Sequence, residues 1–330
     1  MVSLQRKIEL LVQLGEYMLS ADDSWKDAKE LAKNRNAWFD NESIDMAVGG
    51  IAGSFLQADA LKNWIDKYPT PGQSLKVGIV MAGNIPLVGF HDFLCGFVTG
   101  HILYIKLSSK DDVLLRHLVG KLAEWEPDVA EQVVFADNLK GCDAYIATGS
   151  NNTARYFEQY FGKYPNIIRK NRTSVAILSG NETQEEFQRL GIDIFSYYGL
   201  GCRNVTKVFL PEGYDINILL KALQPFSDII HHHKYKHNFD YYLAIYLLNR
   251  VPYFSNDFLL MVENTIPFSA VSVLHYEFYK DKEELLQSLQ NNDSIQCVVD
   301  NVNIKYGLSQ FPALTDYADG IDTMMFLSTL

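Results

Sequence analysis

Cysteine is scarce in this chain. Cys95, Cys142, Cys202 and Cys297 are the only four in 330 residues, and their wide spacing without a CxxC pair excludes a disulfide framework or a structural zinc site. No apolar stretch reaches the length of a membrane span. The start, Met1 to Lys7, leads into Glu9 and Glu16 without an uninterrupted hydrophobic segment, so a soluble cytoplasmic protein is expected. Positive charge is also short: 29 Lys and Arg face 40 Asp and Glu, a net charge of -11. That sign does not suit a phosphate-backbone binder, and nucleic acid is not expected as a partner. Internal repeats and low-complexity tracts are absent.

What is present is a chain able to fold throughout, with 48% hydrophobic and 21% charged residues. Its length suggests two lobes and therefore a cleft. Residues 1 to 68 read as a helical cover, with Leu4, Ile8, Leu11 and Met18 on one apolar face and Ile44, Val48, Ile51 and Phe55 on another. After Pro69-Thr70-Pro71-Gly72 the pattern changes. Val77–Met81, Ile102–Ile105, Val133–Phe135, Ala144–Ala147 and Val175–Leu178 read as buried strands, with helical patterns such as Val113–Leu122 between several of them. That alternation predicts an α/β domain with a mainly parallel sheet. A second set of strands follows, near Val205–Leu210, Phe258–Val262, Ala270–Leu274 and Cys297–Val299, with helices near Ile216–Leu223 and Tyr241–Leu248. We place the boundary near residue 190, giving a dinucleotide-binding domain with its helical cover at 1–190 and a catalytic domain at 191–330.

Two segments carry chemistry. Ala82-Gly83-Asn84-Ile85-Pro86 follows a parallel strand, where loops of open α/β sheets face the ligand crevice. An asparagine amide there can donate to a developing oxyanion, or it can satisfy its own turn. In Tyr198-Gly199-Leu200-Gly201-Cys202-Arg203-Asn204, the glycines allow a tight turn and leave the thiol open to approach. Arg203 is a neighbouring charge favouring thiolate. Cys202 is thus a candidate nucleophile, with a buried structural cysteine as the alternative. Cys95, Cys142 and Cys297 read as structural.

Asn84-Ile85-Pro86, Gly100 and Lys106-Leu107-Ser108-Ser109 resemble, in order and spacing, the oxyanion asparagine and ribose lysine of the aldehyde dehydrogenase superfamily. Thr148-Gly149-Ser150 resembles its cofactor loop, Gly199 to Cys202 its catalytic turn, and Glu263-Asn264-Thr265-Ile266-Pro267 its ribose glutamate motif. Within that superfamily the phrases around Asn84 and Cys202, with Gln310-Phe311-Pro312 and Asp316-Tyr317-Ala318-Asp319-Gly320, are similar to the fatty acyl-CoA reductases of the bioluminescence (LuxC) type. The resemblance covers nearly the whole chain.

It implies an aldehyde-dehydrogenase-like fold, a Rossmann-type cofactor lobe plus a second α/β catalytic lobe. It also implies reduction of an acyl thioester such as acyl-CoA to an aldehyde through an acyl group on Cys202. Asn84 and the Cys202 N–H would form the oxyanion hole and Lys106 would hold the adenosine ribose. Thr148, Gly149 and Ser150 would belong to the cofactor-binding loop, with Ser150 and the helix N-terminus beginning near it at the pyrophosphate, and Glu263 would bind the nicotinamide ribose. Where the superfamily has an acidic residue three places after the lysine, this chain has Ser109, with Lys106 and Lys110 nearby. NADPH is therefore the expected cofactor and NADH the alternative.

Two departures stand out. Tyr164 to Gly180, where the superfamily's general-base glutamate belongs, contains no carboxylate, which suits a reductase that must not hydrolyse its thioester. Lys67 to Lys76 is too short for the bridging hairpin, so the oligomeric state is left open, as is an acyl-supplying partner enzyme. A Cys202-dependent acyltransferase and a non-catalytic nucleotide-binding scaffold are the competing functions. His231, His232, His233 and His237 read as a solvated or core-edge run rather than metal ligands, and no metal site is expected. The aromatics Tyr235, Phe239, Tyr241, Tyr242, Phe254 and Phe258 read as core rather than an acyl tunnel. Asp316, Asp319 and Asp322 read as turn and cap residues.

Overall fold

The computed structural model describes residues 2–290 and 292–330. The chain forms two units, Met1–Asn171 with Pro312–Leu330, and Arg172–Phe311.

The first unit opens with helices α1 (Leu4–Leu19), α2 (Asp23–Arg35), α3 (Asn41–Ser54) and α4 (Ala58–Ile65). The first three start at side-chain caps: Ser3, Asp22 and Asp40 accept N–H groups of the first turn, each such cap contributing about 1 kcal/mol. Leu10, Leu11, Leu14, Trp25 and Ile44 are fully buried in one core with the sheet that follows.

That sheet alternates with helices: β1 (Lys76–Val80), α5 (Phe90–Thr99), β2 (Ile102–Lys106), α6 (Leu114–Trp125), α7 (Val129–Gln132), β3 (Val133–Phe135), β4 (Ala144–Thr148), α8 (Asn151–Phe161) and β5 (Asn166–Arg169). The strands are all parallel in the order β3-β2-β1-β4-β5. The chain thus builds outward from β1 through β2 to β3, then returns to lay β4 on the other side of β1. Such a reversal opens a crevice at the carboxyl ends of the two strands that flank it.

The second unit contains β6 (Thr173–Ile177), α9 (Gln184–Phe195), β7 (Val205–Pro211), α10 (Ile216–Ala222), α11 (His233–Asn249), β8 (Phe254–Ser255), β9 (Leu260–Glu263), β10 (Val273–Tyr279), α12 (Lys282–Gln290) and β11 (Ile295–Val299). Its sheet runs β11-β6-β7-β10-β9-β8, parallel except for the β8–β9 pair. A helix α13 (Thr323–Ser328) closes the chain and packs on α5 of the first unit.

The division falls at residue 171 rather than near 190. The expected strand Val175–Leu178 is β6, and it pairs between β11 and β7 in the second sheet. A short apolar run shows that a strand is buried, not which sheet accepts it. The tail also departs from expectation by returning to the first unit. Arg169, buried at the end of β5, pairs with Asp92 of α5 at 2.5 Å and donates to the Thr323 hydroxyl at 2.8 Å. His101 takes the Leu75 N–H on Nδ1 and donates from Nε2 to the Leu327 carbonyl. Asp322 caps α13 through the Met325 N–H, and Asp316 accepts the Ala313 N–H, so both act as the cap and turn residues expected of them. β5 has no counterpart in the sequence reading, and β10 begins at Val273 because the preceding Ser272 is left-handed at φ 66°.

Candidate active site

In the first unit, the ends of β1, β2 and β4 lie level: Val80 is opposite Lys106 on one side and Ala147 on the other. The three loops that follow carry the candidate cofactor and oxyanion residues. Asn84 is exposed on the loop after β1. That loop depends on Gly83, since a β-carbon there would stand 2.7 Å from Cβ and Oγ of Ser108. The loop after β2 exposes Lys106, Ser109 and Lys110. After β4, Thr148 and Gly149 lead to Ser150, whose hydroxyl caps α8 by accepting the Thr153 N–H at 3.3 Å. The helix therefore begins where the sequence placed it, and its first N–H groups form an anion-favouring end. These loops flank the reversal of strand order between β1 and β4, where an open α/β sheet binds its ligand.

In the second unit, Cys202 sits on a turn joining α9 to β7. Tyr197, Tyr198 and Gly199 are successively left-handed, at φ 52°, 58° and 78°. For the two tyrosines this costs roughly 1 kcal/mol or more each. The turn is held by Asn204, which is fully buried. Its Oδ1 accepts the Gly201 N–H at 2.8 Å, and its Nδ2 donates to the carbonyls of Ser196 at 2.8 Å, Asp193 at 3.1 Å and Ile194 at 3.3 Å. On the other side of the thiol, the buried Ser174 hydroxyl donates to the Cys202 carbonyl at 3.0 Å. The Cys297 thiol stands 2.9 Å from that hydroxyl, and since Ser174 has one proton to give, Cys297 is the donor to it. The Cys202 side chain is half-buried.

A further layer supports the turn. The Arg203 guanidinium donates to the Ser309 carbonyl at 3.4 Å. Asp193, at the end of α9, accepts the N–H groups of Gly307 and Ser309 and the Ser309 hydroxyl. The His232 ring lies 4.2 Å from that of Tyr198 while capping α11. His231, His233 and His237 are exposed. Among the described residues no group of three or more His, Cys, Asp or Glu is placed to hold a metal. Tyr235, Phe239 and Phe258 are core residues, whereas Tyr241 and Phe254 are exposed.

Glu263 is exposed at the end of β9. The loop after it doubles back over β7 toward the end that carries Cys202, and its carbonyls are pinned in sequence. Lys207 donates to Thr265 at 2.9 Å, His275 Nδ1 to Ile266 at 2.8 Å and Thr206 to Pro267 at 2.7 Å. Lys207 is buried and also pairs with Glu277 at 2.5 Å.

The cysteines differ in electrostatics. Burial pushes the Cys95 thiol well above its usual range and Cys142 up to about 11, so both remain protonated and inert. Asn204, Ser174, Lys207 and Asp111 contribute to these loops without having been singled out in the sequence. Only Asn204, within the cysteine phrase, carried any local signal.

No family model matches the sequence, and no curated protein matches it. Solved structures do share its fold. An NAD+ complex of aldehyde dehydrogenase from Bacillus cereus superposes with a TM-score of 0.64 at 13% identity, over 94% of this chain and 83% of the other. NADP-dependent glyceraldehyde-3-phosphate dehydrogenase from Bacillus halodurans superposes at 0.64 and 13% identity, over 92% and 80%. An NAD-dependent aldehyde dehydrogenase from Sinorhizobium meliloti gives 0.65 at 11% identity, over 94% and 81%. The fold is that of the aldehyde dehydrogenases.

Proposed function

We propose that this chain is an NAD(P)H-dependent oxidoreductase that reduces an acyl thioester, acyl-CoA in the first instance, to an aldehyde. The observation that carries this reading is the Cys202 turn: a half-buried thiol on a left-handed backbone run, pinned on both sides by buried side chains. Strain held by surrounding structure is characteristic of sites where a group must be presented to a reactant. The absence of a carboxylate between Tyr164 and Gly180 favours reduction over hydrolysis, since no base from that segment activates water.

The residues present fit a dinucleotide. The open N-terminus of α8 behind Ser150 suits a pyrophosphate, the exposed Lys106 and Ser109 suit the adenosine ribose, and Glu263 suits the second ribose. When bound, the cofactor supplies hydride to the acyl carbon. Cys202 attacks the thioester carbonyl, CoA leaves as its thiolate, and the cysteine–acyl bond is retained. The Asn84 amide and Cys202 N–H are assigned as donors to the oxygen that gains charge. Collapse of the hydride adduct expels the Cys202 thiolate and leaves the aldehyde.

A panel of acyl-CoAs tests the reading. Equimolar loss of NADPH, release of CoA and appearance of aldehyde are expected. CoA release to another nucleophile without NADPH loss would make the protein an acyltransferase. Binding without either would make it a scaffold.

A further inference from the structure

We propose that Asp111 is a positioning residue that fastens the Asn84 loop to the Lys106–Ser109 loop, so that dinucleotide docking on the second orders the first. The proposal rests on the functional reading above.

Asp111 follows the polar run Ser108-Ser109-Lys110, yet it is buried. Its Oδ2 accepts the Leu87 N–H at 2.7 Å, and its own N–H donates to the Ser108 carbonyl at 3.0 Å. One residue thus closes the turn that displays Ser109 through its backbone N–H and grips the end of the loop that displays Asn84 through its side chain. Leu87 is left-handed, at φ 56°, a conformation that for a γ-branched residue persists only when its surroundings impose it. The contact continues at Gly83, where the backbone lies so close to Ser108 that no β-carbon fits. Behind the turn, the Asn36 amide donates to the Lys110 carbonyl at 3.1 Å, and Arg35 pairs with Asp112 at 2.7 Å. The turn is therefore fixed to α2 on one side and to the Asn84 loop on the other.

The other carboxylate oxygen of Asp111, Oδ1, is buried without a hydrogen-bond partner. Leaving it so is costly, and the rest of the core offers it no donor. What Asp111 gains is one hydrogen bond, from the Leu87 N–H. Its placement makes sense as an anchor between loops. A ligand that orders the Ser108–Asp111 turn then also orders residues 83–88.

Hydrogen exchange on the full chain, with and without NADPH, tests this with Asp111→Ala and Asp111→Asn. In Asp111→Ala, residues 83–88 should exchange about tenfold faster than in the wild type. They should also lose the slowing that NADPH causes there, while 150–154 keep theirs. Asp111→Asn, which retains an acceptor for Leu87, should exchange at 83–88 no faster than the wild type and keep the slowing by NADPH. Wild-type exchange of 83–88 in Asp111→Ala, or an Asp111→Asn variant as loose as Asp111→Ala, would overturn the proposal. If NADPH slows exchange nowhere in the wild type, the dinucleotide reading fails, and the ligand-free comparison still decides the anchor.

Discussion

The Asn204 side chain accepts the Gly201 N–H at 2.8 Å, so the residue two places after Cys202 holds the backbone just before it. The same amide satisfies three carbonyls where α9 ends. Only a planar group with a donor end and an acceptor end can do both.

Asn204→Asp keeps the acceptor and removes the donors, setting a carboxylate oxygen against those carbonyls. It should destabilise the protein by about 2–4 kcal/mol and slow alkylation of Cys202 by iodoacetamide. Urea unfolding and mass-resolved alkylation measure the two. Unchanged values in both would remove Asn204 from any role in presenting the thiol.

Much of this was legible because the signals are local. The apolar run ending at Met81 marked β1 and hence the Asn84 loop, and the Thr148-Gly149-Ser150 phrase marked the start of α8. What was not legible depends on distant partners. Val175–Leu178 looks the same whether it joins the first sheet or the second. Asp111 sits in a run of polar residues that reads as solvated, and only the fold shows that it is turned inward toward Leu87. The return of the tail depends on Arg169, Asp92 and Thr323, which lie far apart in the chain.

Asp111 also predicts a pH effect. Burial pushes its carboxyl from 3.8 up to about 7, against the opposing Leu87 N–H and with a smaller contribution from Asp112. A carboxyl raised on folding favours the fold while protonated. Its stabilisation is complete below the unfolded value and is lost as pH rises through about 7. Relative to the wild type, Asp111→Asn should therefore gain stability between pH 4.5 and 8, by on the order of 3 kcal/mol. Urea midpoints across that range measure it. A difference between the two proteins that does not change with pH would contradict a buried, raised carboxyl.

Ser109 lies exposed between Lys106 and Lys110, so position 109 itself presents no negative charge to repel a ribose 2′-phosphate. Ser109→Glu should lower the ratio of NADPH to NADH efficiency by about tenfold or more. Steady-state kinetics with both cofactors give the ratio directly. An unchanged ratio would mean that the adenosine ribose binds elsewhere.

The acyl-enzyme itself is the most exposed claim. Of the four cysteines, Cys95 and Cys142 are buried with raised thiols and Cys297 donates to Ser174 from within a strand, whereas Cys202 stands on the strained turn. Mixing the protein with acyl-CoA alone should release about one CoA per chain in a burst and then almost stop, because acylation needs no hydride and the Tyr164 to Gly180 segment offers no carboxylate to activate water for hydrolysis. Adding NADPH should then discharge the retained acyl group as aldehyde. Cys202→Ala should abolish the burst and the aldehyde while still binding NADPH, which separates loss of the nucleophile from loss of the fold. The same change at Cys95, Cys142 or Cys297 should alter stability at most. Rapid continuous CoA release by the wild type without cofactor, or a burst that survives in Cys202→Ala, would show that the acyl group is never held on this thiol.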